Sequence, residues 1–263
     1  MIAAVLLLLT AARPAQATPP DTVFLEELTW TELRNLIQAG KTTIIVPIGG
    51  TEQNGPYMAL GKHNVRVEHL ADEIARGLGN ALVAPVLAYV PEGGTNPPTA
   101  HMRFPGTITI PTDAFDKLLE STARSFQLHG FRDIVLIGDH GGYQKELVAV
   151  ANRLNREWAK TPARAHAIVE YYRQSEIGFA QLLRSRGFAE SAIGKHAGLA
   201  DTSLMLAIDP RLVRSDHLRS AKPQPGDGID GDPREASAGL GQAGVAMIVR
   251  RTVEAIREAV ARH

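Results

Sequence analysis

Apolar runs and polar turns alternate along this chain in an order that predicts strands separated by helices. Thr43-Ile44-Ile45-Val46-Pro47-Ile48 reads as a buried strand, and Asp133 to Gly138 as a central one. Ala81 to Val90 and Arg164 to Tyr172 are strand-like, and Ile108-Thr109-Ile110 forms a short strand. Helices are expected over Leu25 to Ala39, Val65 to Leu78, Thr112 to His129, Lys145 to Lys160, Glu176 to Arg186, His196 to Ala207 and Gly239 to Arg262. Their ends carry the usual signals, such as Thr112 as an N-cap and Gly130 as a stop. Ser215 to Ala238, rich in Gly, Pro and Asp, is a long loop. Strands alternating with helices of this length imply an α/β fold, a single three-layer α/β/α domain with a mostly parallel central sheet. No linker divides the chain and no internal repeat appears.

The chemistry gathers where these strands end. Gly49-Gly50 breaks the first strand and opens a polar loop holding Glu52, Gln53, Asn54 and His63. The spacing of Gly50 and Gly55 invites a phosphate-loop reading, but Pro56-Tyr57 stand where Lys and Ser/Thr would have to be. Asp139-His140-Gly141-Gly142 follows the central strand directly, and paired glycines beside a His let backbone approach a metal or substrate closely. Asp201 lies near a helix start. Glu52, His63, His140 and Asp201 together are a reasonable set of donors for zinc or manganese. Taken singly, each is more often a solvated or incidental polar residue. There is no Gly-x-Ser-x-Gly elbow and no H-E-x-x-H, so hydrolysis here points to metal-activated water.

Composition narrows the class. The 263 residues hold 28 Lys+Arg and 28 Asp+Glu, a formal net charge of zero, with no basic tract to suggest nucleic acid. Apolar content of 44% is ordinary for a globular core. There is no cysteine, which excludes disulfides, thiol nucleophiles and Cys-ligated zinc. Residues 1–17 read as a signal peptide: Ile2 to Leu9 is an apolar run too short to span a bilayer, and Ala15-Gln16-Ala17 fits a cleavage site. The expectation is an exported, periplasmic or secreted protein without membrane insertion, its mature domain covering residues 18–263.

The segment Pro47-Ile48-Gly49-Gly50-Thr51-Glu52-Gln53-Asn54-Gly55-Pro56 resembles the creatininase (creatinine amidohydrolase) family. Further matches follow in order: His101-Met102-Arg103-Phe104-Pro105-Gly106-Thr107, Gly130-Phe131-Arg132, Asp139-His140-Gly141-Gly142, His196-Ala197-Gly198 with Asp201-Thr202-Ser203, and Gly231-Asp232-Pro233. Upstream, Glu27-Leu28-Thr29-Trp30 fits too. The resemblance implies an α/β/α sandwich, amide-bond hydrolysis at a divalent metal centre, a small-molecule amide substrate, and homo-oligomers, commonly hexamers. Carried over residue by residue, Glu52 and His140 match the family's metal ligands outright and Asp201 matches as a shorter acid. Asn54 replaces the loop His, and His63 replaces the bridging Asp. Asp139 stands where the family has Gly and could restore a carboxylate. His196 occupies the place of a substrate-side His and is the candidate proton shuttle, with Asp201 as fourth ligand or water-orienting base. The altered ligands imply one tightly held metal, zinc before manganese. The rival reading is a degenerate member that binds a metal or small ligand without turnover.

Overall fold

The computed structural model describes residues 20–220 and 222–262; the expected signal peptide therefore lies outside the described residues. In chain order the elements are α1 (Trp30–Gln38), β1 (Thr43–Ile48), α2 (Lys62–Leu78), β2 (Ala81–Val83), α3 (Thr112–Leu128), β3 (Asp133–Gly138), α4 (Gln144–Glu157), β4 (Arg164–Ala167), α5 (Val169–Arg173), α6 (Phe179–Ser185), α7 (Glu190–Ile193), α8 (Leu199–Ile208), α9 (Ser215–Leu218) and α10 (Ala238–Ala261).

The four strands form one all-parallel sheet in the order β2-β1-β3-β4. Every residue of β1 is buried, which explains its unbroken apolar run: parallel strands covered on both faces have no solvent side to make polar. Ile45, Val135 and Ile137 face a layer built from α2, α5, α6, α8 and α10. Ile44, Val46, Ile48, Ile134 and Leu136 face the opposite layer of α1, α3 and α4. The fold is the expected three-layer α/β/α arrangement.

Several boundaries differ from the pattern-based reading. The first helix begins only at Trp30, because Thr29 and Glu32 form a capping box that fixes its start there. Pairing of β2 stops at Val83, and the chain runs on irregularly through Leu87, which makes a single bridge to Ile48. Residues 108–110 form no strand, although the Ile108 and Ile110 N–H groups donate to the Thr51 and Val90 carbonyls. After Ala167 the chain turns into α5 and a one-turn π-helix, Gln174–Gly178, that leads into α6. On α10, Ile248 and Ile256 are fully buried and Val245 and Val253 nearly so. That apolar face is covered mainly by α8 and α2 of the same chain.

Candidate metal centre

The carboxyl ends of β1 and β3 lie side by side, with Pro47 opposite Ile137 and Ile48 opposite Gly138. This register delivers the Gly49–Gly61 loop, with the start of α2 that carries Lys62 and His63, and the Asp139–Gly142 turn to one place, as open α/β sheets do at their ligand sites. Tyr143 ties the two together. Its buried hydroxyl accepts the Asp139 and His140 N–H groups at 3.2 Å each and lies 2.8 and 2.6 Å from the carbonyls of Ile48 and Gly49, to which it donates.

Glu52 is the centre of the pocket and is wholly buried. Its Oε1 meets His63 Nε2 at 2.6 Å, with Lys62 Nζ and His196 Nδ1 each at 3.7 Å. Its Oε2 has no hydrogen-bond partner, although His101 Nε2 lies at 3.2 Å and His140 Nε2 at 3.5 Å. Glu92, in the irregular stretch that follows β2, brings a second buried carboxyl group, both of whose oxygens lack a partner; Oε2 lies 3.6 Å from His140 Nε2. Gly50 makes room for it: its φ is +151°, and a Cβ there would stand 2.7 Å from Glu92 Oε1. Among the described residues, two groups of three bring one donor atom each to within 4.8 Å of one another, Glu52-His101-His196 and Glu52-Glu92-His140.

The electrostatics separate these donors from their surroundings. Burial opposes charge on Glu52, but His63, Lys62 and His140 outweigh it and hold the carboxyl well below its ordinary range. Burial and then the neighbouring Glu52 push Glu92 up to about 9. Burial lowers His101, brings His140 down to about 3, and, with Lys62 adding to it, takes His196 to about 4. Three imidazoles are therefore neutral at pH 7, the state in which a ring nitrogen can ligate a metal. A buried carboxylate oxygen without a donor costs several times what a typical bond contributes, so the unpaired oxygens of Glu52 and Glu92 fit a cation. His140 Nδ1 accepts a 3.2 Å bond from Gly142 N–H, which places the ring proton on Nε2. To hold a metal through Nε2, the ring would have to carry its proton on Nδ1 and release the Gly142 N–H.

The other residues singled out in the sequence are brought to the same place but are occupied. His63 is held between two carboxylates, with Nε2 on Glu52 and Nδ1 on Asp139 Oδ2, each at 2.6 Å. Asp139 also accepts from Tyr171 Oη at 2.6 Å and from Arg66 Nε at 2.8 Å. Asp201 accepts from Arg66 Nη1 at 2.6 Å, from Lys62 Nζ at 3.0 Å and from Ala197 N–H at 2.9 Å. Burial opposes ionisation of both aspartates, yet Arg66 and the His63 contact hold Asp139, and Lys62 and Arg66 hold Asp201, below the ordinary carboxylate range. Neither three-residue group contains His63, Asp139 or Asp201. The reason is α2. Lys62 and Arg66 sit one turn apart in line with Leu70 and Ile74, on the stripe that faces the interior, and both are about 1% exposed. Sequence reasoning passed over Glu92, His101, Lys62 and Arg66. A signal was available for the last two: charged residues continuing the buried stripe of a helix.

Gln53 organises the remaining side. Its Nε2 lies 3.0 Å from His101 Nδ1 and from the Gly228 carbonyl, and its Oε1 accepts from Gly55 N–H at 2.8 Å. His196 Nε2 lies 2.9 Å from the Gln53 carbonyl and donates to it, leaving Nδ1 as a free acceptor toward Glu52. Asn54 spends its amide hydrogens on the carbonyls of Glu52 and Ala59, closing the loop.

A parallel α/β sheet whose strand ends deliver buried carboxylates and neutral imidazoles to one pocket defines a hydrolase of the metal-dependent class. The family described as creatininase, creatinine amidohydrolase, matches residues 26–256, and the chain belongs to this family of amidohydrolases. It is 27% identical to the creatinine amidohydrolase of Pseudomonas putida over 259 residues, 90% of this chain and 96% of that protein. It is 28% identical to a mycofactocin precursor peptide peptidase of Mycolicibacterium smegmatis, covering 81% of this chain and 84% of the peptidase. Among solved structures it is similar to creatininases. A point mutant superposes with a TM-score of 0.77 at 26% identity over 91% of this chain and 99% of that one. A manganese form and a Zn–Zn form, each 26% identical, cover 90% of this chain and 98% of theirs with TM-scores of 0.74 and 0.72. These relatives and the donors in the pocket support a divalent metal as cofactor. No described helix is long and apolar enough to cross a membrane.

Proposed function

We propose that this protein hydrolyses a C–N bond in a small or cyclic amide, with Glu52, Glu92 and His140 holding the metal and His101 and His196 closing the other side of Glu52. The observation that carries the reading is the set of three buried carboxylate oxygens without a partner, Glu52 Oε2 and both of Glu92, beside imidazoles that burial keeps neutral. A divalent cation there supplies polarisation of the scissile carbonyl and a lowered pKa for water. The chain's own groups supply the rest. With Nε2–H fixed on the Gln53 carbonyl, His196 presents Nδ1 to the pocket. As water adds to the carbonyl carbon and the C–O bond forms, the proton that water gives up passes to Nδ1. The same atom returns it to the leaving nitrogen as the C–N bond breaks. Asp201 acts here as a positioning residue, since it accepts Ala197 N–H next to His196. Ala197 carries a positive φ of 53° that this contact helps to hold.

Zinc is the metal proposed first and manganese second, and the substrate is a lactam, formamide or cyclic urea. The test is metal analysis of the purified protein followed by that substrate panel, on wild type and Glu52→Gln. Turnover by the wild type and none by the variant is the expected result. Protein that takes up no metal would refute the reading. Metal uptake without turnover across the panel favours the binding-only member, a reading to which Lys62 and Arg66 lend support by occupying the interior of the pocket.

We also propose export with removal of residues 1–17, and assembly as a homo-oligomer, a hexamer by resemblance to the family. N-terminal sequencing of the native protein should begin at Thr18, and light scattering should give a mass above that of one chain.

A further inference from the structure

We propose that Lys62 and Arg66 are a built-in substitute for a second metal ion, so that each chain takes up a single divalent cation, at the Glu52–Glu92–His140 end of the pocket. This deepens the metal-hydrolase reading and rests on it.

The four carboxylates of the pocket divide into two kinds. Asp139 and Asp201 have every oxygen occupied. Asp139 Oδ1 takes Tyr171 Oη at 2.6 Å and Arg66 Nε at 3.1 Å, and Oδ2 takes His63 Nδ1 at 2.6 Å and Arg66 Nε at 2.8 Å. Asp201 Oδ1 takes Arg66 Nη1 at 2.6 Å, and Oδ2 takes Lys62 Nζ at 3.0 Å and Ala197 N–H at 2.9 Å. Glu92 has both oxygens without a partner, and Glu52 has one. Demand for a cation is thus confined to one end of the pocket, while the other end already holds an ammonium and a guanidinium. All six side chains are buried.

Charge acts the same way. Lys62 Nζ stands 3.7 Å from Glu52 and 3.0 Å from Asp201, and Arg66 lies 2.8 Å from Asp139 and 2.6 Å from Asp201. Both side chains are buried and tethered to α2. A second dication at that end would have to sit against an ammonium and a guanidinium, and like charges repel strongly in a poorly solvated interior. A Zn–Zn form is known among the similar creatininase structures; in this chain Lys62 and Arg66 provide positive charge without a second ion.

The experiment measures stoichiometry and not only activity. Protein is stripped with chelator, reloaded with excess Mn²⁺ or Zn²⁺, desalted and assayed for metal per chain. Mn²⁺-loaded samples are also read by electron paramagnetic resonance. Wild type should hold one equivalent and show an isolated-ion spectrum. Lys62→Gln removes the ammonium and leaves Asp201 Oδ2 and Glu52 Oε1 short of a cation, so it should rise toward two equivalents, with an exchange-coupled signal. Arg66→Lys keeps the charge and should stay at one. Two equivalents in the wild type, or a folded Lys62→Gln that stays at one, overturns the inference and leaves the hydrolase reading standing. No metal in the wild type overturns the hydrolase reading itself. If Lys62→Gln does not fold by circular dichroism, the wild-type stoichiometry and spectrum decide.

Discussion

Glu92→Gln should flatten the fall in stability that the wild type is expected to show as pH rises above neutrality. In metal-free protein, burial and the adjacent Glu52 raise the Glu92 carboxyl from 4.5 to about 9. A group whose folded pKa is raised contributes stability fully present below its unfolded value and lost as pH rises through the folded one. From pH 4.5 to 9 the folded chain therefore holds a proton that the unfolded chain releases, and stability falls by about 1.4 kcal/mol per pH unit. The window from pH 7 to 8.5 isolates this group best. His140 and His196, lowered to about 3 and about 4, are neutral there in the folded chain and nearly so when unfolded. Glu176, raised by burial to about 7, is near its midpoint at pH 7, but wild type and variant share it, so it cancels from their difference. Across that window the wild type should lose roughly 2 kcal/mol in chelator, on the order of 4–8 °C in Tm for a chain of this size. Glu92→Gln keeps the shape, has no proton to release, and should be flatter by that amount. Adding Zn²⁺ should flatten the wild type too, because a cation then does the work of the proton, and should do much less for the variant. Differential scanning fluorimetry with chelator and with Zn²⁺, at half-unit pH steps, measures all four curves. Parallel wild-type and variant curves in chelator would refute the electrostatic account of Glu92. Equal stabilisation of both by Zn²⁺ would refute its role as a ligand.

The remaining predictions concern groups around it. Arg66→Met leaves Asp139 and Asp201 buried without their shared guanidinium and should cost about 3–5 kcal/mol in urea unfolding at pH 7; a loss below 1 kcal/mol would show that the network is not structural. Because the folded pKa values of both aspartates are depressed, their stabilisation is present above 3.8 and is lost as pH falls further, so the variant's deficit should shrink below that pH. Tyr143→Phe removes a hydroxyl serving four backbone groups and should cost about 1–3 kcal/mol, with metal affinity lowered because the His140 turn is released; unchanged chelator resistance would count against that link. His196→Asn should lower kcat by about 10²–10⁴-fold on any substrate found, while metal content stays near wild type. A matching loss of metal would make His196 a ligand first and a proton carrier second.

Local pattern was enough to place β1 and β3, because strands covered on both faces must be apolar throughout and end where polar residues begin. It also placed Glu52 and His140, which follow those strands directly and need only the parallel register to meet. The irregular stretch after Val83 was read as strand because its apolar content is strand-like; whether it pairs depends on neighbours far away in sequence. The apolar face of α10 could have been an interface or a core face, and periodicity does not distinguish them; the structure buries it against α8 and α2 of the same chain. What the sequence could not weigh was the partner of each polar group. His63, Asp139 and Asp201 have the residue types of metal ligands, and only the packing of α2 against α8 and the β3 turn brings Lys62 and Arg66 into their contact shell. Conversely Glu92 and His101 sit in a loop with no periodicity to mark them, and they join the centre because that loop folds back over Gly50. A side chain's type is written locally, but whether a charge is free to bind something depends on what else is buried within a few ångströms, and that is decided by the tertiary fold.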